Sequence, residues 1–176
     1  MEQNTNFLKY DLSQLSLLIV DNSQKRRDLV RSMLDALNIE QVVEAENASA
    51  AIRQLNESES YLVIAELTMT PATGLDLVRE IRTSKYIPNP VIPIIMLSVK
   101  RTLESVCEAR DAGIDEFVAR PFALKVLYDR IVTSARSPRP IIVSNPYFGP
   151  DRRRQTRWHN DFGDSRRRPG WTVSRR

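Results

Sequence analysis

A short apolar run that ends at a single carboxylate most constrains how this chain can fold. Residues 62–65 read LVIA, Glu66 follows, and a turn rich in Thr and Pro leads to Gly74 and an amphipathic segment. An unbroken apolar run of this length is typical of a strand buried on both faces of a parallel sheet. Sites in open parallel sheets lie at the carboxyl ends of strands, so Glu66 is the first candidate functional residue.

The same pattern recurs through the first 136 residues. Further short, mostly apolar segments that we interpret as strands lie at residues 17–20, 42–43, 91–98 and 116–118. Each is followed by a segment with the apolar spacing of an amphipathic helix. Strict alternation of strands and helices predicts an α/β fold, a doubly wound parallel sheet of the (βα)5 type with helices on both faces.

Capping residues and apolar spacing predict the helices in more detail. We predict helix starts at Ser23, Asn47 and Thr102, and helix ends at Asn38 and Gly113. The residues predicted to face the core include Leu29 in the first helix and Leu103 in the fourth. Asp115 and Glu116, at the start of the fifth strand, are interpreted as solvated charges, and Cys107 as a packed structural residue.

Composition excludes several classes of protein. One cysteine, Cys107, and one histidine, His159, exclude a disulfide framework and make structural zinc an unsuitable interpretation. No apolar run is long enough to span a bilayer and the first residues are polar, so we predict a cytoplasmic protein without a membrane span. Neither a nucleophile–base spacing nor a glycine-rich phosphate loop is present, so we do not expect an enzyme.

Charge divides the chain into three parts. Residues 1–136 hold 16 Lys and Arg against 19 Asp and Glu, whereas residues 137–176 hold 10 Arg against 3 Asp. We predict an N-terminal extension at 1–13, a folded body at 14–136 and an arginine-rich tail at 137–176. The stretch 149–176 is too charged to fold alone, so we predict that it is disordered or becomes ordered on a ligand.

The body resembles a receiver domain of two-component response regulators, of the CheY-like type. The matching segments are LLIVDN, VVEAENA, IAE followed by Gly74-Leu75, PIIMLS, ARDAG and ARPF. The resemblance implies a flavodoxin-like fold, a phosphorelay role and a cis Arg120–Pro121 bond. It also assigns positions: the phospho-acceptor to Glu66, the acidic pair to Asp21 and Asn22, the hydroxyl to Ser98, the lysine to Arg120 and the switching aromatic to Phe117.

Three of those positions depart from the family pattern, in which Mg²⁺ is held beside the acceptor by carboxylates. Asn22 lacks a charge, Glu66 is one methylene longer than aspartate, and Arg120 replaces a compact ammonium with a planar fork. We therefore predict a standing Glu66–Arg120 pair, no Mg²⁺ and no phosphorylation. Two interpretations of Glu66 stay open, a silent relic and a mimic of the phosphorylated state; an intact phospho-acceptor is a third.

The tail combines arginines with aromatic and acidic residues, and it has no lysine. Guanidinium forks bind phosphate and the O6/N7 edge of guanine, tryptophans stack on bases, and aspartates accept from the other guanine edge. These features favour a guanine nucleotide. The candidate binding residues are Arg152, Arg153, Arg154, Arg157, Trp158, Asp161, Asp164, Arg166, Arg167, Arg168 and Trp171.

The tail also resembles a narrower group, the Cle-type CheY-like proteins of alphaproteobacteria, through the PRP at 138–140 and YFGPDRRR at 147–154. This resemblance implies cyclic di-GMP as the ligand and a flagellar motor switch or a histidine kinase as the partner on the output face. The alternatives are a conventional phosphorelay module without nucleotide binding, and an RNA- or anion-binding tail on a silent scaffold. The interleaved aspartates speak against nucleic acid.

Overall fold

A computed structural model describes residues 9–57, 62–144 and 147–152. Strands and helices alternate through the body. The strands are β1 (Ser16–Val20), β2 (Gln41–Ala45), β3 (Leu62–Glu66), β4 (Ile94–Ser98) and β5 (Glu116–Ala119). The helices are α1 (Gln24–Asp35), α2 (Ala48–Glu57), α3 (Gly74–Thr83), α4 (Leu103–Ala112) and α5 (Leu124–Arg136).

The five strands form one parallel sheet in the order β2-β1-β3-β4-β5. The predicted doubly wound α/β fold is therefore confirmed. Glu66 at the end of β3 pairs with Leu97, and Ser98 at the end of β4 pairs with Ala119. This register brings the carboxyl ends of the central strands, and the residues that follow them, to one edge of the sheet.

Each face of the sheet is covered by helices, which explains why the strand sequences are apolar without alternation. In β1, Leu18 and Val20 pack with α2, α3 and α4, whereas Leu17 and Ile19 pack with α1 and α5. Side chains in a strand point alternately to its two faces, so a strand between two helical layers needs apolar residues at every position.

Most of the predicted helix boundaries are confirmed. Asn47 Oδ1 accepts from Ala50 N at 2.8 Å, Thr102 caps α4 by accepting from Ser105 N, and Asn38 and Gly113 have left-handed backbones with φ of 59° and 108°. The Arg120–Pro121 bond is cis, as the resemblance implies. Ser23 occupies the cap position of α1, but its side chain makes no capping bond.

Two predictions of core residues are wrong. Leu29 is 50% exposed and Leu103 is 79% exposed. In α1 the buried stripe is centred on Val30 and Leu34, and Leu29 lies beyond its border. Leu103 is the first residue of α4, before the helix turn that meets the sheet. Apolar spacing therefore predicts which face of a helix is buried, but it does not predict which residues lie at the border of that face.

The prediction that Asp115 and Glu116 are solvated is also wrong. Asp115 is 3% exposed and Glu116 is 5% exposed. Asp115 pairs with Arg82 of α3 at 3.2 Å, and Glu116 pairs with Arg130 of α5 at 2.9 Å. Burial of these carboxylates is offset by arginines distant in sequence, which a local pattern does not reveal.

A β-hairpin follows α5, although the sequence predicted no regular structure in the tail. Strands β6 (Ile141–Ser144) and β7 (Tyr147–Pro150) pair antiparallel in a separate two-stranded sheet. Gly149 and Pro150, placed in the unstructured stretch 149–176, belong to β7, which corrects that boundary. The hairpin lies against the body, since Arg139 contacts Glu116 and Arg152 contacts Asp111.

The N-terminal side of the body also begins earlier than predicted. Leu12 lies in the predicted extension, yet it is buried in the core layer beside α1 and α5. The backbone N–H groups of Lys9 and Tyr10 donate to the Tyr128 hydroxyl of α5 at 2.8 and 2.9 Å. Among the described residues, no helix has the length and apolar character needed to cross a membrane.

Candidate functional site

Four side chains predicted to form a site meet at the carboxyl edge of the sheet. Asp21 follows β1, Glu66 ends β3, Ser98 ends β4 and Arg120 follows β5. Asp21, Glu66 and Ser98 are buried, and the Arg120 side chain is largely buried. The parallel register of the strands therefore brings four side chains that are distant in the sequence into one pocket.

The predicted contact between Glu66 and Arg120 is present. Arg120 Nε donates to Glu66 Oε2 at 3.3 Å, and the other carboxylate oxygen accepts from Thr68 N at 3.2 Å. The contact uses one nitrogen of the guanidinium. Arg120 Nη2 is buried, lies 4.0 Å from Asp21 Oδ2, and has no hydrogen-bond partner within the described part of the chain. The fork-to-fork geometry that the sequence suggested is thus only half realised.

Burial controls the acidity of Glu66. Desolvation raises the pKa of this carboxyl group above its ordinary value, and the nearby charge of Asp21 adds to the rise. The Thr68 N–H and the charge of Arg120 act in the opposite direction and are outweighed. Loss of solvent is therefore the dominant influence on this group, as is usual for a buried carboxylic acid.

A pH dependence of stability follows from this shift. The folded protein holds the Glu66 proton between the ordinary pKa of 4.5 and the higher folded pKa, whereas the unfolded chain has lost it. We therefore expect the free energy of unfolding of the wild type, relative to Glu66→Gln, to fall as pH rises through this window and then to level off. Urea unfolding at closely spaced pH values measures the difference; a rise with pH over the same window would contradict the prediction.

Sequence reasoning missed Arg26, which makes the shortest contacts in the pocket. Its Nε donates to Asp21 Oδ2 at 2.7 Å and its Nη2 donates to Asp21 Oδ1 at 2.6 Å. Nη2 also donates to Asn22 Oδ1 at 3.0 Å. The position of Arg26 in the sequence could have predicted this contact. Arg26 lies on the first turn of α1, five residues after Asp21, within reach of that carboxylate.

The remaining predicted pocket residues take part less directly. Asn22 is exposed, and its Nδ2 donates to Thr70 Oγ1 at 3.3 Å. Ser98 Oγ accepts from Lys100 N at 2.9 Å, which holds the loop after β4. Phe117 on β5 is half-buried and packs against the core layer that lies beneath α2, α3 and α4.

Gly74 lets α3 begin directly against the end of β3. A Cβ at this position would lie 2.3 Å from the Glu66 carbonyl oxygen and 3.0 Å from Met96 Sδ. Gly74 N also donates to Leu67 O at 2.9 Å. The glycine in the motif is thus required by close backbone approach, which fixes the strand end that carries Glu66.

The profile of the family described as "Response regulator receiver domain" matches residues 17–132. This chain belongs to the response regulator receiver domain family. The match spans β1 through α5, so the whole sheet with the pocket at its carboxyl edge is receiver structure.

The chain is also similar to curated relatives that are named chemotaxis proteins. Chemotaxis protein CheY of Pseudomonas aeruginosa is 26% identical over 117 residues, which cover 66% of this chain and 93% of the relative. Chemotaxis protein CheY1 of Helicobacter pylori is 30% identical over 118 residues, covering 66% of this chain and 94% of the relative. The chain is thus a CheY-like receiver.

Solved structures agree with this fold. A response regulator receiver protein from Pseudomonas putida superposes with a TM-score of 0.60 at 28% identity, covering 68% of this chain and 96% of that one. The chemotaxis protein CheY4 of Vibrio cholerae superposes with a TM-score of 0.61 at 23% identity, covering 67% of this chain and 96% of that one. These matches concern the body and leave the end of the chain outside.

The pocket does not fit the Mg²⁺ ion that the receiver family implies. Over the described ranges, no group of three or more His, Cys, Asp or Glu side chains is arranged to hold a metal. Asp21 and Glu66 supply two carboxylates, and both are engaged by guanidinium groups. Mg²⁺ requires several oxygen ligands free to approach to about 2.0–2.1 Å.

Of the residues predicted to bind a guanine nucleotide, only Arg152 lies in the described part of the chain. Its guanidinium stacks on the Tyr147 ring at 3.8 Å and pairs with Asp111 at 3.5 Å. A cavity of about 330 Å³ beside it is lined by Ile142, Ser144, Tyr147, Asp151 and Arg152. The other candidates, Arg153 to Trp171, lie outside the described residues.

Proposed function

We propose that this CheY-like receiver acts as a signalling adaptor whose pocket is held by internal ion pairs and is not phosphorylated at Glu66. The observation that carries this proposal is the double pairing in the pocket: Arg120 contacts Glu66, and Arg26 holds Asp21 by two hydrogen bonds. Both carboxylates that the family chemistry would use are neutralised by residues of the chain itself.

Phosphoryl transfer depends on placement and on charge, and both are altered here. Glu66 extends its carboxylate by one methylene, and both of its oxygens accept hydrogen bonds, Oε2 from Arg120 Nε and Oε1 from Thr68 N. A displacement of about 1 Å can reduce a rate roughly 10²-fold. The Glu66–Arg120 pair lies where the resemblance places the phosphoryl–lysine contact, so we favour a body fixed in one output state over a silent relic.

Exposure to acetyl phosphate and Mg²⁺ tests the proposal. We expect the intact mass of the protein to stay unchanged, because neither a free nucleophile nor a free metal site is offered. A phosphorylatable CheY protein treated in parallel shows that the reagent is active. An added phosphoryl group that disappears in Glu66→Ala would contradict the proposal.

We further propose that the arginine-rich tail binds cyclic di-GMP. The hairpin supports this, because it fixes the start of the arginine run to the body and already stacks Arg152 on an aromatic ring. Guanidinium–ring stacking is the interaction expected between these arginines and a guanine base. The same segment carries the net positive charge of the chain, since residues 137–176 hold 10 Arg against 3 Asp whereas residues 1–136 hold 16 Lys and Arg against 19 Asp and Glu.

The partner proposal rests on the relatives, which are named chemotaxis proteins. We propose a cytoplasmic adaptor that docks a flagellar motor switch protein or a histidine kinase through the face around Phe117. Phe117→Ala is expected to weaken capture of that partner at least about tenfold, since aromatic anchors dominate such interfaces. Tyr86→Ala removes an exposed aromatic from the loop between α3 and β4, outside β5 and the helices that flank it in sequence, and is the matched control. Equal capture by both variants would contradict the assignment.

A further inference from the structure

We infer that Arg26 is the resident cation of the receiver pocket, which neutralises Asp21 in place of a divalent metal and closes the pocket to it. This inference deepens the proposed function and rests on it, because a pocket that accepted phosphate would need the metal. It assigns a role to a residue that neither the family motif nor the sequence pattern marks.

The first argument is that the pocket oxygens are already occupied. Asp21 Oδ1 accepts from Arg26 and from Ser23 N, and Asp21 Oδ2 accepts from Arg26. Asn22 Oδ1, the remaining ligand of the former acidic pair, also accepts from Arg26. The oxygens of Glu66 accept from Thr68 N and Arg120 Nε. Each of these oxygens except Glu66 Oε1 already accepts from a guanidinium group, so a metal ion would have to compete with a positively charged donor to gain it as a ligand.

The second argument is charge balance. The resemblance implies that an ordinary receiver pocket sets three carboxylates against Mg²⁺ and one lysine, which is neutral overall. Here Asp21 and Glu66 are set against Arg26 and Arg120, which is also neutral. With Asn22 in place of an acidic residue, the pocket has one negative charge fewer than the family pattern, and its net charge is neutral without a metal. An added divalent ion would leave two uncompensated positive charges in a largely buried pocket, which is costly.

The third argument is the location of the guanidinium. The Arg26 side chain is 38% exposed, whereas the Asp21 side chain beneath it is 4% exposed. Arg26 thus lies between the carboxylate and solvent and covers the approach to it. The hydrogen bonds to Asp21 raise the pKa of Arg26, with help from the charges of Asp21 and Glu66. The covering charge is permanent at any pH at which the protein is folded.

Titration with Mn²⁺ of wild type, Arg26→Met and Lys25→Met tests this role. Free Mn²⁺ is counted from its electron paramagnetic resonance signal. Arg26→Met keeps the aliphatic stem and removes the charge, so Asp21 becomes available and Mn²⁺ should bind at least about tenfold more tightly than to wild type. Lys25→Met removes the same charge from a neighbouring exposed position and should bind like wild type.

Equal Mn²⁺ affinity of Arg26→Met and wild type would overturn the inference. Arg26→Gln serves as the second variant if Arg26→Met does not fold. The wild-type chain provides an independent test of the inference. Mn²⁺ at millimolar concentration should leave the amide resonances of the residues after β1 and β3 unbroadened. Selective broadening of these resonances that is lost in Asp21→Asn would refute the inference that Arg26 excludes the metal. None of these measurements involves phosphate. A phosphoryl adduct on Glu66 would therefore contradict the proposed function, whereas metal binding by the wild type would contradict the role of Arg26.

Discussion

Deletion of residues 153–176 is expected to abolish binding of cyclic di-GMP, which the full chain should bind with micromolar or tighter affinity in calorimetry. The cut leaves the hairpin intact, and this matters because Arg139 and Arg152 tie the hairpin to the body. A loss of at least about 100-fold is expected, since each paired guanidinium contact with phosphate or guanine contributes roughly 1–3 kcal/mol.

A variant in which the seven arginines at 152–154, 157 and 166–168 become lysines is the matched control. It keeps every charge and removes every planar fork, so recognition of guanine should be lost while nonspecific attraction to anions persists. No heat from the full chain with cyclic di-GMP would refute the proposal. Equal binding by the lysine variant, with a steep log–log dependence on salt, would favour the alternative of an RNA- or anion-binding tail.

Asp115→Ala is expected to lower the free energy of unfolding by about 3–5 kcal/mol, the range for breaking a buried ion pair. Arg82 and Asp115 have side chains that are 1% and 3% exposed, and they meet at 3.2 Å. The same carboxylate accepts from Ile94 N at 2.9 Å, and Arg82 Nε donates to Gly113 O at 2.9 Å. Truncation removes the principal anionic partner of a buried guanidinium and the acceptor for a buried N–H at the start of β4.

Asp129→Ala is the matched control for that substitution. Asp129 also pairs with a cation, Lys125, at 2.8 Å, but the two side chains are 52% and 58% exposed. An exposed pair one helix turn apart contributes about 0.3–0.5 kcal/mol. Chemical denaturation of both variants measures the difference. A loss for Asp115→Ala as small as that for Asp129→Ala would show that the buried network does not stabilise the fold.

The contrast between these two aspartates also shows what the sequence could reveal. The body was predictable because its strands and helices repeat a local pattern, and the caps at Asn47 and Thr102 are local contacts. The burial of Asp115 depends on Arg82, 33 positions away, because Arg82 near the end of α3 contacts the residue that precedes β5. The hairpin was missed because the prolines within it and the arginines that flank it are typical of a linker, and because contacts with the body support it.

The pocket was predictable in part for the same reason. Glu66 ends β3 and Arg120 follows β5, the two strands that flank β4 in a recognisable topology, so their contact followed from the resemblance. Arg26 was missed because it belongs to no motif position, and the run of cations around it is typical of an exposed helix face. Its choice of Asp21 depends on the turn after β1, where Asp21 Oδ1 accepts from Ser23 N.

The most direct test of a pocket held by its own ion pairs is the amide spectrum of the full chain with and without beryllofluoride and Mg²⁺. Beryllofluoride binds a receiver pocket as a phosphoryl group would, and it needs the metal and a free acceptor carboxylate. We expect the resonances of Glu66, Ser98 and Phe117 to stay in place at saturating reagent. Saturable shifts of these three resonances, absent in Glu66→Gln, would contradict the proposal that Arg26 takes the place of the metal and that the Glu66–Arg120 pair takes the place of the phosphoryl–lysine contact.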